Sequence, residues 1–428
     1  MIIWVFVVGF IALMISGVPV TFAMGATALI SGAMLWGIEG IPIDILTQRA
    51  VSGVNNFTTL AIPLFLLSGK LMNAGSITDR IFKFAQSAVG SVPGGLGHVN
   101  ILSSVIFAGM SGTAAADAAG LGSMEIKAMT DAGFDKDFSV AVTGASSLVG
   151  PIIPPSVPMV MYGVLTNTSV GSLFIGGIMP GLMMSAGMAV LVVWYSLKRN
   201  YPRGDKFSFK ALAKSFIAAF FPLLTPAIII GGIWTGVFTS TEAAGVAVLY
   251  AVILIVGVYR SMTLYEVWVL IRQTVVDCAS ILFIIACTSV YGYVLIRTQI
   301  PMLLAEMVFS ITTSPMAIIF LLIAFLLVIG CFMSTMEAII LFVPIFIPLL
   351  QQARIDMLVF GVILCLTLMI GQLTPPFGTV LFVLTKISGI PMDRVVRVSI
   401  PFTVPVLVTT ILCAIFPAIV TFLPALAR

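Results

Sequence analysis

Two short stretches of an otherwise apolar chain hold residue types that can bind solutes: GPIIPPS from Gly150 to Ser156, and GQLTPPFGT from Gly371 to Thr379. Proline lacks an N–H and collides with the preceding helical turn. Pro154-Pro155 and Pro375-Pro376 therefore interrupt any helix that contains them and leave nearby carbonyls without donors. In hydrocarbon no water replaces those donors. A dehydrated sodium ion is an oxygen-seeking guest for unwound carbonyls beside a half-helix end. The N-terminus of the restarting helix favours an anion. Roughly 40 residues before each proline pair lies a small-residue tip, FAGMSGTAAADAAG (Phe107–Gly120) and GCFMSTMEA (Gly330–Ala338). Glycine permits the chain to reverse. Ser111, Thr113, Ser334 and Thr335 supply oxygens or cap the returning helix. Each tip follows an apolar run too short for a comfortable span, the pattern of a re-entrant helical hairpin. The alternative is that both proline pairs only kink two helices.

The elements that position these residues are membrane helices. Of 428 residues, 60% are hydrophobic and 8% charged, with a mean hydropathy of +1.20. A soluble domain carries about 25% charged residues, so the composition excludes a soluble enzyme and gives an all-α polytopic membrane protein. Apolar stretches recur from Ile2–Ile15 to Pro401–Leu426, and roughly ten to twelve crossings fit the length needed per span. MIIWVFVVGF at the start has neither a basic region nor a small-residue cleavage site and reads as a first span. The five cysteines, Cys278, Cys287, Cys331, Cys365 and Cys413, lack metal-like spacing and read as buried free thiols. Lys198–Lys214 concentrates six basic residues and one aspartate, a local +5 within a net +4. The positive-inside bias makes this loop cytoplasmic. A basic run also suits RNA or lipid binding, but one such loop between spans is far more often a topology signal.

That loop divides the chain near its midpoint, and the halves repeat. An offset of 221 residues sets Gly150, Pro154 and Pro155 on Gly371, Pro375 and Pro376, Gly109 on Gly330, and Thr113 on Ser334. Paired breaks in duplicated halves are the sequence sign of a secondary transporter. The expected organisation is a first repeat over 1–197 (hairpin about 95–130, broken helix about 137–165), the basic loop 198–214, and a second repeat over 215–428 (hairpin about 313–351, broken helix about 356–388). Whether the repeats are inverted depends on an odd number of spans in each, which the sequence leaves open.

Charges at bilayer depth are costly and each needs a reason. Asp117, just past the first tip, either orients the tip, balances a cation or caps the returning helix. Glu337 lies one residue from the repeat-related position. Glu242 completes an S/T-x-x-E capping box begun at Thr239. Arg297, Arg354, Lys386 and Arg394 end apolar runs as interfacial anchors, or as cations that touch a carboxylate substrate. His98 is the only histidine, and no GxSxG, HExxH or Walker motif accompanies it. Nothing here supports enzyme chemistry, and His98 reads as a loop or interface residue.

Together GMSGTAAADAAGLGSMEIKAM, GPIIPPS, GQLTPPFG, GVPVTFAMG (Gly17–Gly25), IPLFLLSGKLM (Ile62–Met72) and TEAAGVAVLYA (Thr241–Ala251) resemble the large, DctM-like membrane subunit of tripartite ATP-independent periplasmic (TRAP) transporters. The resemblance implies uptake of an organic acid (a C4-dicarboxylate, sialic acid or another sugar acid) across the bacterial inner membrane. It implies a sodium gradient as the driving force, with a periplasmic substrate-binding protein and a small four-helix membrane subunit as partners. It implies two inverted repeats, each with a scaffold part and a hairpin-bearing transport part that moves as an elevator. By motif, one sodium site falls on Ser111, Thr113, Gly150, Ile153 and Pro155. The repeat carries a second onto Phe332, Ser334, Gly371, Thr374 and Pro376, where Phe332 offers only its carbonyl. Gly112, Asp117, Ser156, Thr335, Glu337 and Gly378 flank these ligands and are assigned to the organic acid. The rival readings are a stand-alone sodium-coupled carboxylate symporter, a channel subunit and, weakest, an intramembrane enzyme.

Overall fold

The computed structural model describes residues 2–74, 77–204 and 206–426. Among these the chain is helical throughout; the one strand-like pairing is an isolated bridge between Pro93 and Arg203. Eight helices are long and apolar enough to cross a membrane: Phe57–Ala74, Val170–Arg199, Phe209–Trp234, Ser240–Val258, Leu264–Arg297, Pro315–Phe332, Thr335–Gln352 and Met392–Ile415. Six shorter apolar helices accompany them. Most of these helices are apolar on every side, which suits elements that meet lipid or protein all round.

The offset of 221 relates whole helices as well as single residues. Thr335–Gln352 begins and ends 221 residues after Ala114 and Asp131, and Met357 starts its helix 221 after Lys136. Leu264 likewise follows Ile43 by 221, but the halves diverge there. The first half has two helices, Ile43–Val54 and Ala61–Ala74, joined through Asn56, whose side chain accepts from the Thr58 N–H at 3.0 Å. The second half runs unbroken for 34 residues.

The hairpin arms differ from expectation in length. Pro315–Phe332 and Thr335–Gln352 are 18 residues each, about 27 Å at 1.5 Å per residue, so both reach spanning length. In the first half the outbound arm is divided into Ala114–Gly120 and Gly122–Asp131. The segment expected as one basic loop is shorter than drawn: Lys198 and Arg199 end a helix, and Ser208 caps the next by accepting from the Ala211 N–H.

Packing exchanges partners between the halves. The helix after the first break, Val157–Thr166, lies against the second outbound arm, Thr335–Gln352, while the helix after the second break, Thr379–Ser388, lies against Ala114–Gly120 and Gly122–Asp131. Tyr162 is fully buried at this seam, and its hydroxyl donates to the Met357 carbonyl at 2.7 Å. Its ring rests on Gly361, where a methyl group would stand 2.4 Å from the ring. One continuous core of buried apolar side chains therefore joins the tips, the breaks and the long helices of both halves.

Candidate functional site

The first tip closes directly onto the first break. The inbound arm, Gly95–Ser111, ends at Gly112, whose φ of +68° lies in the left-handed region that glycine adopts freely. The Gly112 carbonyl accepts from the Val157 N–H at 3.3 Å, and a methyl at Gly112 would stand 2.9 Å from the Pro155 carbonyl oxygen. Thr113 is extended and caps the outbound arm by accepting from the Ala116 N–H at 3.3 Å. A methyl at Gly150 would lie 3.4 Å from the Thr113 carbonyl oxygen. The tip and the break therefore touch through backbone, and Ser111, Gly112, Thr113, Gly150 and Pro155 share one place in the fold.

The break leaves the oxygens unsatisfied that a cation needs. Between Leu148 and Ile153 the chain turns through short bonds, including Gly150 N–H to the Ser147 carbonyl at 3.2 Å. Among the described residues the carbonyls of Gly150, Ile153 and Pro155 accept no hydrogen bond. Ser111 is buried, and its hydroxyl has no partner. Buried polar groups are normally paired, so this set of orphaned oxygens fits a desolvated monovalent cation. Ser156 differs: its hydroxyl donates to the Pro151 carbonyl and accepts from the Met159 N–H, which makes it the cap of the restarting helix. Both Pro–Pro bonds, Pro154-Pro155 and Pro375-Pro376, are cis.

The second junction has the same parts with different contacts. The Cys331 carbonyl, one residue before Phe332, accepts from the Phe377 N–H at 3.0 Å. Gly330 and Gly371 meet backbone to backbone, and a methyl at Gly371 would stand 2.3 Å from the Gly330 carbonyl oxygen. The Thr374 hydroxyl donates to the Ile370 carbonyl, and the Gly371 carbonyl accepts from the Thr374 N–H. The Phe332, Thr374 and Pro376 carbonyls accept no hydrogen bond among the described residues. Ser334 and Glu337 form a reciprocal capping box, so the Glu337 carboxylate is occupied by the Ser334 N–H at 3.0 Å. Gly378 stands at the start of the restarting helix, with the Gln372 carbonyl 2.6 Å from where its methyl would be.

Several participants escaped sequence reasoning. Gln372 donates to the Thr335 hydroxyl at 2.8 Å and accepts from the Thr379 hydroxyl at 3.0 Å, tying tip, break and restarting helix together. It is the one side-chain amide inside GQLTPPFGT, which was the available signal. Beneath the first tip, Asn100 donates to Thr143 at 2.7 Å and accepts from Ser146 at 2.6 Å, and Ser104 donates to Ser146 at 3.1 Å. Asp117 and Glu125 are buried beside this chain, and both Asp117 oxygens and Glu125 Oε1 lack partners. No ion pair among the described residues reaches either carboxylate. Glu125 falls two helical turns past Asp117, a spacing that alone is too common to single it out.

Other residues singled out from sequence have plain positions. Thr239 and Glu242 form the capping box read there, and Thr263 and Glu266 form another. His98 is in the first turn of Gly95–Ser111, so it is a helix residue and not part of a loop. The five cysteines are free; Cys278, Cys365 and Cys413 are buried, whereas Cys287 and Cys331 are only partly so. Arg394 donates to Asp137 at 2.9 Å, and Arg297 lies over the Tyr293 ring. A cavity of about 500 Å³, lined by residues such as Asn56, Asn167 and Thr239, touches neither tip nor break.

Residues 7–419 match the family described as "Tripartite ATP-independent periplasmic transporter, DctM component". The chain is 42% identical over 418 residues to the sialic acid TRAP transporter large permease protein SiaM of Vibrio cholerae, covering 98% of this chain and 97% of that one. It is 36% identical over 371 residues to the C4-dicarboxylate TRAP transporter large permease protein DctM of Pseudomonas aeruginosa, covering 86% of each. Its fold is similar to that of the Alcanivorax borkumensis YdaH transporter, with a TM-score of 0.66 at 12% identity over 88% of this chain and 89% of that one. With paired tips and breaks inside an all-helical membrane fold, and relatives that are transporter permeases and not enzymes, this chain belongs to the DctM family of TRAP transporter large permease proteins.

Proposed function

We propose that this permease imports an organic acid by sodium symport, taking it from a periplasmic binding protein and working with a small four-helix membrane subunit. The observation that carries the reading is the set of unpaired oxygens at the first junction: the carbonyls of Gly150, Ile153 and Pro155 with the orphaned Ser111 hydroxyl. Sodium there would supply what the proline break removed, with Thr113 as a further ligand. The second site would use the carbonyls of Phe332, Gly371, Thr374 and Pro376 with Ser334. Bound sodium favours the closed junction, since its ligands come from both tip and break. The inward N-termini of the restarting helices then favour the acid's carboxylate, which Gly112, Ser156, Thr335 and Gly378 border. Asp117 offsets cation charge, and Glu337 keeps the second tip in shape.

The exchanged packing of the post-break helices supports one transport body built from both halves, consistent with inverted repeats and an elevator movement against the long helices. The local +5 at 198–214 supports a cytoplasmic loop in a bacterial inner membrane. A tenfold gradient stores about 1.4 kcal/mol per ion, and 100 mV adds about 2.3 kcal/mol per charge. Two sodium ions thus provide roughly 7 kcal/mol before the anion's own electrical cost. Sialic acid and C4-dicarboxylates, named for the relatives, are the acids to try first.

The test is uptake into liposomes. The chain alone should give none, and addition of a small subunit and cognate binding protein should restore sodium-dependent uptake with a Hill coefficient above one. Robust uptake by the chain alone would point to a stand-alone symporter, and uptake without sodium dependence to a channel. Pro155→Ala and Pro376→Ala restore a backbone donor and should raise the sodium concentration for half-maximal uptake. Pro42→Ala, outside both junctions, should not. A cysteine at Ser208 should resist impermeant thiol reagents applied outside intact cells; ready labelling there overturns the orientation.

A further inference from the structure

We propose that a cleft between the end of Val170–Arg199 and the start of Met392–Ile415 is a binding site for the phosphate of an anionic phospholipid. The cleft encloses about 190 Å³ and is lined by Arg199, Arg397, Asp137, Tyr195 and Phe402, with Phe138 and Pro401 completing its apolar wall. That volume lies below the roughly 300–1,000 Å³ of pockets that bury a drug-sized ligand and suits a small anionic headgroup.

Charge and shape both point to phosphate. Arg199 donates to Asp135 at 2.7 Å, and Arg394 to Asp137. The charged residues that line the cleft are thus Arg199, Arg397 and Asp137, the last paired with Arg394 from outside the lining. Arg397 is exposed and makes no ion pair among the described residues. A planar guanidinium with free donors matches phosphate oxygens through paired hydrogen bonds. Asp137 lines the cleft but is already neutralised by Arg394. Aromatic rings hold the walls: Tyr195 and Phe402 stack at 5.6 Å, and Phe138 packs on Tyr201 at 4.8 Å.

The helix below the cleft distinguishes a lipid from a soluble anion. Arg397, Pro401, Val404 and Val408 follow one another at three- and four-residue spacing, so they share one face of Met392–Ile415. Val404 and Val408 are about half exposed, at 50% and 47%. An apolar ridge therefore leads from the unpaired arginine down the membrane-facing surface, where an acyl chain would lie. On Val170–Arg199, Lys198, next in sequence to Arg199, lies over the ring of Trp194, next to Tyr195, at 4.9 Å, and Trp194 is itself exposed. Tryptophan and lysine together mark the headgroup level. Basic pockets between membrane helices are the recurring form of such lipid sites. The cleft also touches Asp137, Phe138 and Ala141 on Lys136–Ser147, the helix that leads into the first break. A lipid there would contact the element that carries the first junction.

The experiment is native mass spectrometry of the purified full chain from micelles doped with phosphatidylglycerol or phosphatidylcholine. The wild type should retain phosphatidylglycerol preferentially. Arg397→Gln should lower that retention roughly fivefold, the value of one basic residue near an anionic surface, while Arg397→Lys keeps most of it. Arg272→Gln, an exposed cation elsewhere, should change nothing. The double variant Val404→Ser/Val408→Ser keeps every arginine and should weaken phosphatidylglycerol retention too. Unchanged retention in Arg397→Gln, or equal retention of the two lipids by the wild type, overturns the site. If millimolar inorganic phosphate displaces phosphatidylglycerol, or the double variant retains it fully, the cleft is a soluble-anion site and the lipid assignment fails.

Discussion

The two junctions share a register but meet their surroundings in opposite ways. From Phe138 to Gly163 every residue of the first broken helix is buried, whereas Pro375, Pro376 and Phe377 at the second break are exposed. The first is sealed by Val170–Arg199, whose Gly177 comes so close that a methyl would stand 2.4 Å from the Ile152 carbonyl oxygen. The second lacks such a cover and is tied together by the Gln372 amide and the Glu337 capping box. The repeat sets where each half bends, and the neighbouring helix sets how much of the bend the chain itself covers. An unpaired carbonyl in the first junction can be satisfied only from within the chain or by a guest, whereas one in the second lies next to a surface that the chain leaves uncovered.

The sharpest way to break this comparison is to add one methyl to each equivalent glycine. Gly371→Ala places Cβ against the Gly330 backbone, which cannot swing aside, and should destabilise by roughly 1–3 kcal/mol as overpacking does. Gly150→Ala meets its nearest atoms at 3.3 and 3.4 Å and should lower the melting temperature clearly less. Equal losses in a thermal-shift assay would mean the two junctions are equally tight. Ser111→Ala separates binding from stability, because its hydroxyl makes no protein hydrogen bond. The melting temperature should hold, while the sodium concentration for half-maximal uptake rises roughly threefold to tenfold for a contact worth about 1 kcal/mol. An unchanged sodium requirement removes Ser111 from the site.

Gln372→Leu should act in the reverse sense. It unties Thr335 and Thr379 at a cost of about 0.5–1 kcal/mol, with the first site's sodium affinity untouched; a large sodium shift would show that the junctions are not separable. The smallest effect belongs to Asp135, which Tyr201 and then Arg199 hold below the usual carboxylate range. Its contribution is full above the unfolded value of about 3.9 and is lost as pH falls through the lower folded value. This pair is solvated, so Asp135→Asn should cost under about 1 kcal/mol at neutral pH. A larger loss would mean that this contact helps hold the first broken helix.

Much of this was legible because proline, glycine and hydroxyl residues act through the backbone. Pro154-Pro155 and Pro375-Pro376 break their helices wherever they are packed, and Thr239 with Glu242 closes a cap without tertiary help. That the first break frees carbonyls follows from its missing donors, whereas the particular set Gly150, Ile153 and Pro155 comes from the family resemblance, motif by motif. What lay hidden depends on distant partners. Gln372 matters only because Thr335 and Thr379 come to it from other helices, and Glu125 stands out only once its burial is known. The spanning length of Thr335–Gln352 was obscured by Pro344 and Pro348, which sit inside the helix without ending it. The contrast in burial between the breaks depends on which helix lies over each, and that is set far from the residues of the break.

The exchanged seam between the halves has a consequence for biosynthesis. Val157–Thr166 can pack on Ala61–Ala74 and Val170–Arg199 within its own half, but its largest contact forms only when Thr335–Gln352 has been made. At roughly 5–20 residues per second that is a wait of about 10–40 s. During it Tyr162, buried against Gly361 in the finished protein, has no surface to fill. A chain halted before Thr335 has every residue of the first junction but lacks the outbound arm that its restarting helix packs against, so prematurely terminated products should be marked for degradation and not stored as half-transporters. For the same reason the two halves, made as separate polypeptides, would have to find each other in the bilayer before either could mature.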